Sequence, residues 1–132
     1  MKRFIEAQKR DFDLALKEIK NGKKESHYMW YIFPQIKGLG SSYYANYYGI
    51  SSLDEAKKYC NNEYLYKNLI EITSELLELK SNDALEILGF PDNLKLQSSM
   101  TLFYRASNNE LFKKVLDKFF DGKEDINTLN LI

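Results

Sequence analysis

The sequence predicts an all-α protein: one helical domain over residues 1–132, a compact bundle of about six or seven short helices. Three observations carry that prediction. Apolar residues recur at helical spacing in several separate windows, most clearly at Leu65, Leu69, Ile72, Leu76 and Leu79. Capping residues precede several helical windows, and Gly22, Gly49, Gly89 and Gly122 follow others, as helix-end signals do. β-Branched residues are scattered, and no Asn-Gly or Asp-Gly pair joins two alternating runs (Asp121-Gly122 closes a helix instead).

Taken in order, Phe4–Asn21 reads as the first helix, with Phe12, Ala15, Leu16 and Ile19 on one stripe and Gly22 as its stop. Lys23-Lys24-Glu25 reads as a solvated charged connector. His27–Phe33 reads as a short helix ended at Pro34, because the residue before proline is pushed out of the α region. Pro34–Gly40 should be irregular. Tyr43, Tyr44, Tyr47 and Tyr48 would share a helical face, ended by Gly49. Ser52 and Glu55 match a capping box ahead of a helix through Ala56, Tyr59 and Cys60. A longer helix is expected over 63–80. Asn82 would cap a short helix to Leu88, and Pro91 would precede one over Leu94–Ala106. Asn108 or Asn109 would cap a last amphipathic helix, Glu110–Phe120. Asp125–Leu131 reads as a final turn that docks Leu129 and Ile132.

Composition narrows the function classes. A chain of 132 residues can bury a core without crosslinks, and 44% hydrophobic with 29% charged residues is a globular composition. Ten Tyr and eight Phe point to a core built of rings. Lys plus Arg and Asp plus Glu balance at 19 each, which disfavours a nucleic-acid binder, since such binding draws on a basic excess. One cysteine excludes an internal disulfide. No apolar leader follows Met1-Lys2-Arg3, and no apolar run approaches the roughly 20 residues of a membrane span, so a cytoplasmic protein with no membrane partner is expected.

Chemistry concentrates in three stretches. The first holds His27, the only histidine, and Trp30, the only tryptophan. His27 is the catalytic candidate, as acid–base or hydrogen-bond group, and Cys60, Ser98 or Ser99 could supply a nucleophile. A packed, structurally bonded histidine is the competing reading. The second is Lys37–Ser42. Gly38 and Gly40 let backbone N–H groups converge, and Lys37, Ser41 and Ser42 would complete an anion cradle. It lacks the GK[ST] ending of a Walker A loop, so no nucleotide fingerprint is present and no cofactor is implied. The third is Leu94–Phe103, where Lys95 lies three and four residues before Ser98 and Ser99. One histidine and one cysteine make no metal box.

The motifs together resemble a known family. Arg3-Phe4 with Ala7-Gln8, Ser26-His27, Met29-Trp30, Ile32-Phe33-Pro34-Gln35, Gly38-Leu39-Gly40, Ile50-Ser51-Ser52-Leu53, and Asp92 with Leu94-Lys95-Leu96 and Ser98–Phe103 are similar to the bacterial "domain of unknown function eighteen-ten" family, sometimes labelled calpastatin. The chain departs from that pattern at Tyr28, where Trp is commoner, near Asn62-Glu63, where His-Pro is, and at Gln97, where Arg is. The resemblance implies a compact all-α fold and no established activity, cofactor or catalytic residue. The calpastatin label conflicts with the composition, because that name belongs to extended, disordered inhibitors.

The expectation for function is a polar-aromatic pocket for a small phosphorylated or nucleotide-like ligand, with catalysis left open. Trp30, Gln35, Gly38, Gly40, Ser41, Lys95, Ser98 and Ser99 would line it beside His27. The alternative is a protein-interaction or regulatory module whose partner is not specified.

Overall fold

The computed structural model describes residues 1–132 as nine helices without a sheet: α1 Lys2–Lys20, α2 Met29–Ile32, α3 Tyr43–Tyr47, α4 Leu53–Asn61, α5 Glu63–Glu78, α6 Ala84–Leu88, α7 Asp92–Ser107, α8 Glu110–Phe120 and α9 Ile126–Leu131. Only α1, α4, α5, α7 and α8 reach nine residues. The count exceeds six or seven because α3 and α9, which read as turns in the sequence, each close one helical turn. No helix is long and apolar enough to cross a membrane.

Most helix ends follow local chemistry. Ser52 Oγ accepts the Glu55 N–H at 3.1 Å, and Glu55 Oε1 accepts the Ser51 N–H at 2.9 Å, a capping box shifted by one residue. Asn62 caps α5 and Asn109 caps α8 through their side-chain oxygens. Asp83, not Asn82, caps α6, accepting the Leu85 N–H at 2.9 Å. Gly22 ends α1 with φ +77, a left-handed conformation that costs glycine nothing.

The expected ring core forms along the packed faces of α1, α4, α7 and α8. Phe4 meets Tyr59 edge-on at 5.2 Å, Tyr59 meets Phe103 at 5.1 Å, and Phe103 meets Phe112 at 6.0 Å. Leu65, Leu69, Ile72 and Leu76 of α5 are buried behind them. The tyrosine face of α3 is different. Tyr43, Tyr44 and Tyr47 are exposed, Tyr43 by 74%, and Tyr43 and Tyr47 stack at 5.9 Å.

Two polar anchors on α1 hold the segment that follows it. The buried Gln8 amide donates to Tyr31 O and to the Tyr59 hydroxyl, both at 2.8 Å, and accepts from Asn68 Nδ2 at 3.1 Å. In the last turn of α1, Glu18 accepts the backbone N–H groups of Glu25 and Ser26 at 2.8 and 2.9 Å and the Ser26 hydroxyl at 2.6 Å. Burial alone would raise the Glu18 carboxyl; these donors outweigh it and hold the pKa below its ordinary value. Burial likewise favours a raised Glu55 carboxyl, and the Ser51 N–H and Arg3 outweigh it, so its pKa too is lowered.

A short parallel bridge then aligns Ile36 with Ile50. Lys37 N–H donates to Ile50 O at 2.7 Å and Ile50 N–H to Gln35 O at 2.9 Å. Gly49 reads as a helix stop in the sequence, but its structural role is close approach: a Cβ there would lie 2.7 Å from Ala45 O and 2.8 Å from Lys37 Cβ. Gly49→Ala is therefore expected to destabilise the fold by about 1–3 kcal/mol through overpacking. A urea titration should show a lower midpoint at unchanged slope.

The anchored carboxylates predict a pH dependence. Glu18 and Glu55 have folded pKa values below their ordinary 4.5, so their stabilisation is complete above that value and is lost as pH falls through the folded values. Stability should be flat down to about pH 5 and fall below it. Glu18→Gln should cost about 1.5–3 kcal/mol at neutral pH, the scale of bonds to a charged group, and make the acid-side decline shallower.

Candidate functional site

A cleft of about 530 Å³ opens between the chain from Trp30 to Gly49 and the α7–α9 side of the molecule. Trp30, Gln35, Gly40, Ser41 and Tyr44 form one wall. Lys95, Gln97 and Ser98 of α7, with Asp125 and Asn127 at the start of α9, form the other.

The aromatic wall follows from the short helices. Four residues of α2 suffice to bury Met29, Tyr31 and Ile32, which leaves Trp30 turned to the cleft, with Tyr44 of α3 at 5.2 Å between ring centroids. Tyr31 anchors α2 from below: its hydroxyl donates to Asp11, which is also paired with Arg10 at 2.9 Å. The Arg10 hydrogen bond holds the Asp11 carboxyl below its usual range, while burial and then Asp11 push the Tyr31 phenol up to about 12.

The polar wall is a seam between α7 and the residues ahead of α9. Ser98 Oγ donates to Asp125 Oδ2 at 2.9 Å, and that same oxygen accepts Thr128 Oγ1 at 2.6 Å and the Thr128 N–H at 3.2 Å, capping α9. Asp125 N–H donates to Thr101 Oγ1 at 2.8 Å. Gln97 Nε2 donates to Lys123 O at 2.9 Å.

Lys95 sits where the two walls meet. Its ammonium lies 4.9 Å from the centre of the Trp30 ring and 3.3 Å from Asp92 Oδ1. Asp92 Oδ2 in turn pairs with Lys24 at 2.8 Å, and Lys24 lies 5.0 Å from the Tyr28 ring centre. Lys24 is thus no solvated connector: its side chain is only 5% exposed. Glu18 holds the loop that carries it, and Lys24 N–H donates to Ile87 O at 2.7 Å. Around these residues lies a second recess of about 220 Å³, which shares Trp30, Pro91 and Lys95 with the large cleft.

Of the residues singled out in the sequence, Trp30, Gln35, Gly40, Ser41, Lys95 and Ser98 line the large cleft. His27 does not; it is exposed and borders the smaller recess, together with Lys95 and Trp30. Gly38, at φ +110, packs against Leu131 and lines neither space. Ser99 is fully buried, its hydroxyl unpartnered, and borders neither. Cys60 also lines neither space, and burial pushes its thiol up to about 11, the reverse of nucleophile activation. Tyr28 is 1% exposed and offers no ring to a ligand. Its hydroxyl lacks a partner of hydrogen-bond geometry, and burial, then Glu18, raises its pKa. No three His, Cys, Asp or Glu side chains cluster as metal ligands.

Sequence reasoning missed Lys24, Asp125 and Asn127. The Asp92–Lys95 pair was readable from its i,i+3 spacing, and Asp125 from the capping pattern that leads to Thr128. Nothing local marks Lys24.

The fold and cleft define a small all-α domain with a polar-aromatic groove and no recognisable catalytic constellation. The chain belongs to the family described as "Protein of unknown function (DUF1810)", which matches residues 1–132. Its structure is similar to the crystal structure of the conserved hypothetical protein Rv1873 from Mycobacterium tuberculosis, at 44% identity over 99% of this chain and 94% of that one, with a TM-score of 0.97. No curated protein matches.

Asp125 closes the polar wall, so Asp125→Ala should free Ser98, uncap α9 and cost about 1–3 kcal/mol. Hydrogen exchange should show the loss as faster opening of the α9 amides before those of α5.

Proposed function

We propose that this protein binds a small anionic, nucleotide-like ligand in the large cleft, with a flat ring against Trp30 and Tyr44. The observation that supports this most is the union of an aromatic wall with hydrogen-bonding groups of both kinds, Gln35, Gln97, Ser98 and Asp125, in one concave space of about 530 Å³. Gln35 and Gln97 can each donate and accept, which suits the edge of a base or the hydroxyls of a sugar. Lys95 supplies positive charge beside the ring wall. Catalysis has weaker support: His27 borders only the smaller recess, and the Asp125 oxygen that accepts from Ser98 is also committed to the Thr128 hydroxyl and N–H.

Trp30 is the only tryptophan, so its fluorescence reports the cleft directly. Adenosine, AMP and ADP should quench or shift it saturably and raise the unfolding temperature, since a ligand held at 100 times its Kd stabilises the native state by about 2.7 kcal/mol. Trp30→Ala should remove the thermal shift. A panel of purine and pyrimidine nucleotides and sugar phosphates at millimolar concentration that moves neither signal would sink this reading.

One observation favours the alternative of a protein-interaction module: the exposed ladder of Tyr43, Tyr44 and Tyr47 beside the cleft. That reading expects a stoichiometric protein partner whose capture survives Trp30→Ala and is lost on Tyr43→Ser with Tyr47→Ser.

A further inference from the structure

We propose that the smaller recess is an oxyanion subsite that takes the phosphoryl end of the ligand whose ring lies in the large cleft. This assignment rests on the nucleotide-like reading above and fixes the ligand's direction within it. The two spaces adjoin through Trp30, Pro91 and Lys95, so one extended molecule passing Trp30 reaches both.

The charge count in the recess calls for an anion. Lys24 and Lys95 share one carboxylate, Asp92, which gives each ammonium a single oxygen, at 2.8 and 3.3 Å. An ammonium carries three donors, so both lysines keep unfilled donors. The trio retains one net positive charge, and the Lys24 side chain is 5% exposed. Lys24 has the closer Asp92 oxygen, so the surplus charge lies toward Lys95, whose side chain is 26% exposed between the two spaces, and an entering phosphoryl group matches it. Glu18, which holds the loop that carries Lys24, is already occupied by the Ser26 hydroxyl and two backbone N–H groups. His27 borders the recess and is exposed, so its ring can meet an entering group. The recess, about 220 Å³, is several times the roughly 30 Å³ share of one water molecule.

The other end of the site has the opposite preference. Asp125 places a carboxylate in the large cleft, and its Oδ2 alone takes the three intramolecular donors. A carboxylate repels phosphoryl oxygens and accepts from hydroxyls or base amines. The ligand therefore lies with its donor-rich ring and sugar toward Asp125 and its phosphoryl group toward Lys24.

The chain carries its own two reporters, since it has one histidine and one tryptophan. His27 borders only the recess, and Trp30 borders both spaces. Proton NMR of the intact protein would follow both rings during titration with pyrophosphate, adenosine or ADP at constant ionic strength. Pyrophosphate and ADP should shift His27 saturably, adenosine should shift Trp30 alone, and ADP should give one midpoint on both rings. Lys24→Gln should weaken ADP and pyrophosphate at least tenfold and leave adenosine unchanged, and Lys24→Arg should restore much of the loss. If Lys24→Gln does not fold, the His27 response of the unaltered protein decides alone. A His27 ring that stays still, or drifts linearly without saturating, overturns the subsite. Equal affinity for adenosine and ADP with His27 still removes the subsite and keeps the ring reading. Saturable pyrophosphate binding at His27 with no nucleoside response at Trp30 keeps the subsite, assigns it to free phosphates, and overturns the nucleotide reading.

Discussion

The buried amide of Gln8 is the joint on which the arrangement of the site depends. It bonds α2 through Tyr31 O, α4 through the Tyr59 hydroxyl and α5 through Asn68, all from one residue of α1. A four-residue helix cannot hold itself in water, because nucleation costs more than so few hydrogen bonds return. Helix α2 also lacks a side-chain cap. Its position is therefore imposed by α1: Gln8 takes its backbone, Asp11 takes the Tyr31 hydroxyl, and Glu18 takes the loop ahead of it. Fixing α2 fixes Trp30, and with it the aromatic wall of the cleft.

A second joint completes the other side. Asp92, at the start of α7, binds Lys24 from the loop after α1 and Lys95 from its own first turn. The loop that Glu18 positions is thus returned to the helix that carries Ser98, and the cation over Trp30 is held in place from below. Removing either lysine leaves Asp92 with one partner, whereas removing Asp92 leaves two ammonium groups facing each other, one of them buried. The latter is the greater electrostatic fault.

Much of the fold was legible in the sequence because it rests on local rules. The Ser52–Glu55 cap, the α5 stripe and the Asn109 cap each depend on residues within one or two turns. The same locality made Lys95 and Ser98 readable as one helical face lining the cleft. What was not legible depends on distance along the chain. Lys24 looks like a solvated charge because its neighbours are charged, and only the return of α7 buries it. Asp125 meets Ser98 from 27 residues away. Gly49 looks like a helix stop, and only the bridge beside Ile50 shows that it must lack a Cβ. The α3 tyrosines have the spacing of a core stripe, but a five-residue helix on the rim presents them to solvent.

The placement of charge also decides between two sources of anion affinity that the sequence offers. The glycine turn Gly38–Ser42 leads into α3, whose five residues sum little dipole. The N–H groups of α3 are partly spent as well: Ala45 N–H donates to Ser42 Oγ and Asn46 N–H to Ser42 O. Gly38 is turned against Leu131. The lysine pair has the opposite character, with formal charge, low exposure and unfilled donors. A chain of zero net charge lacks the basic excess that draws in a phosphate polymer. On the proposed reading, a lysine pair at one end of the groove and Asp125 at the other would give a short ligand only one favourable direction.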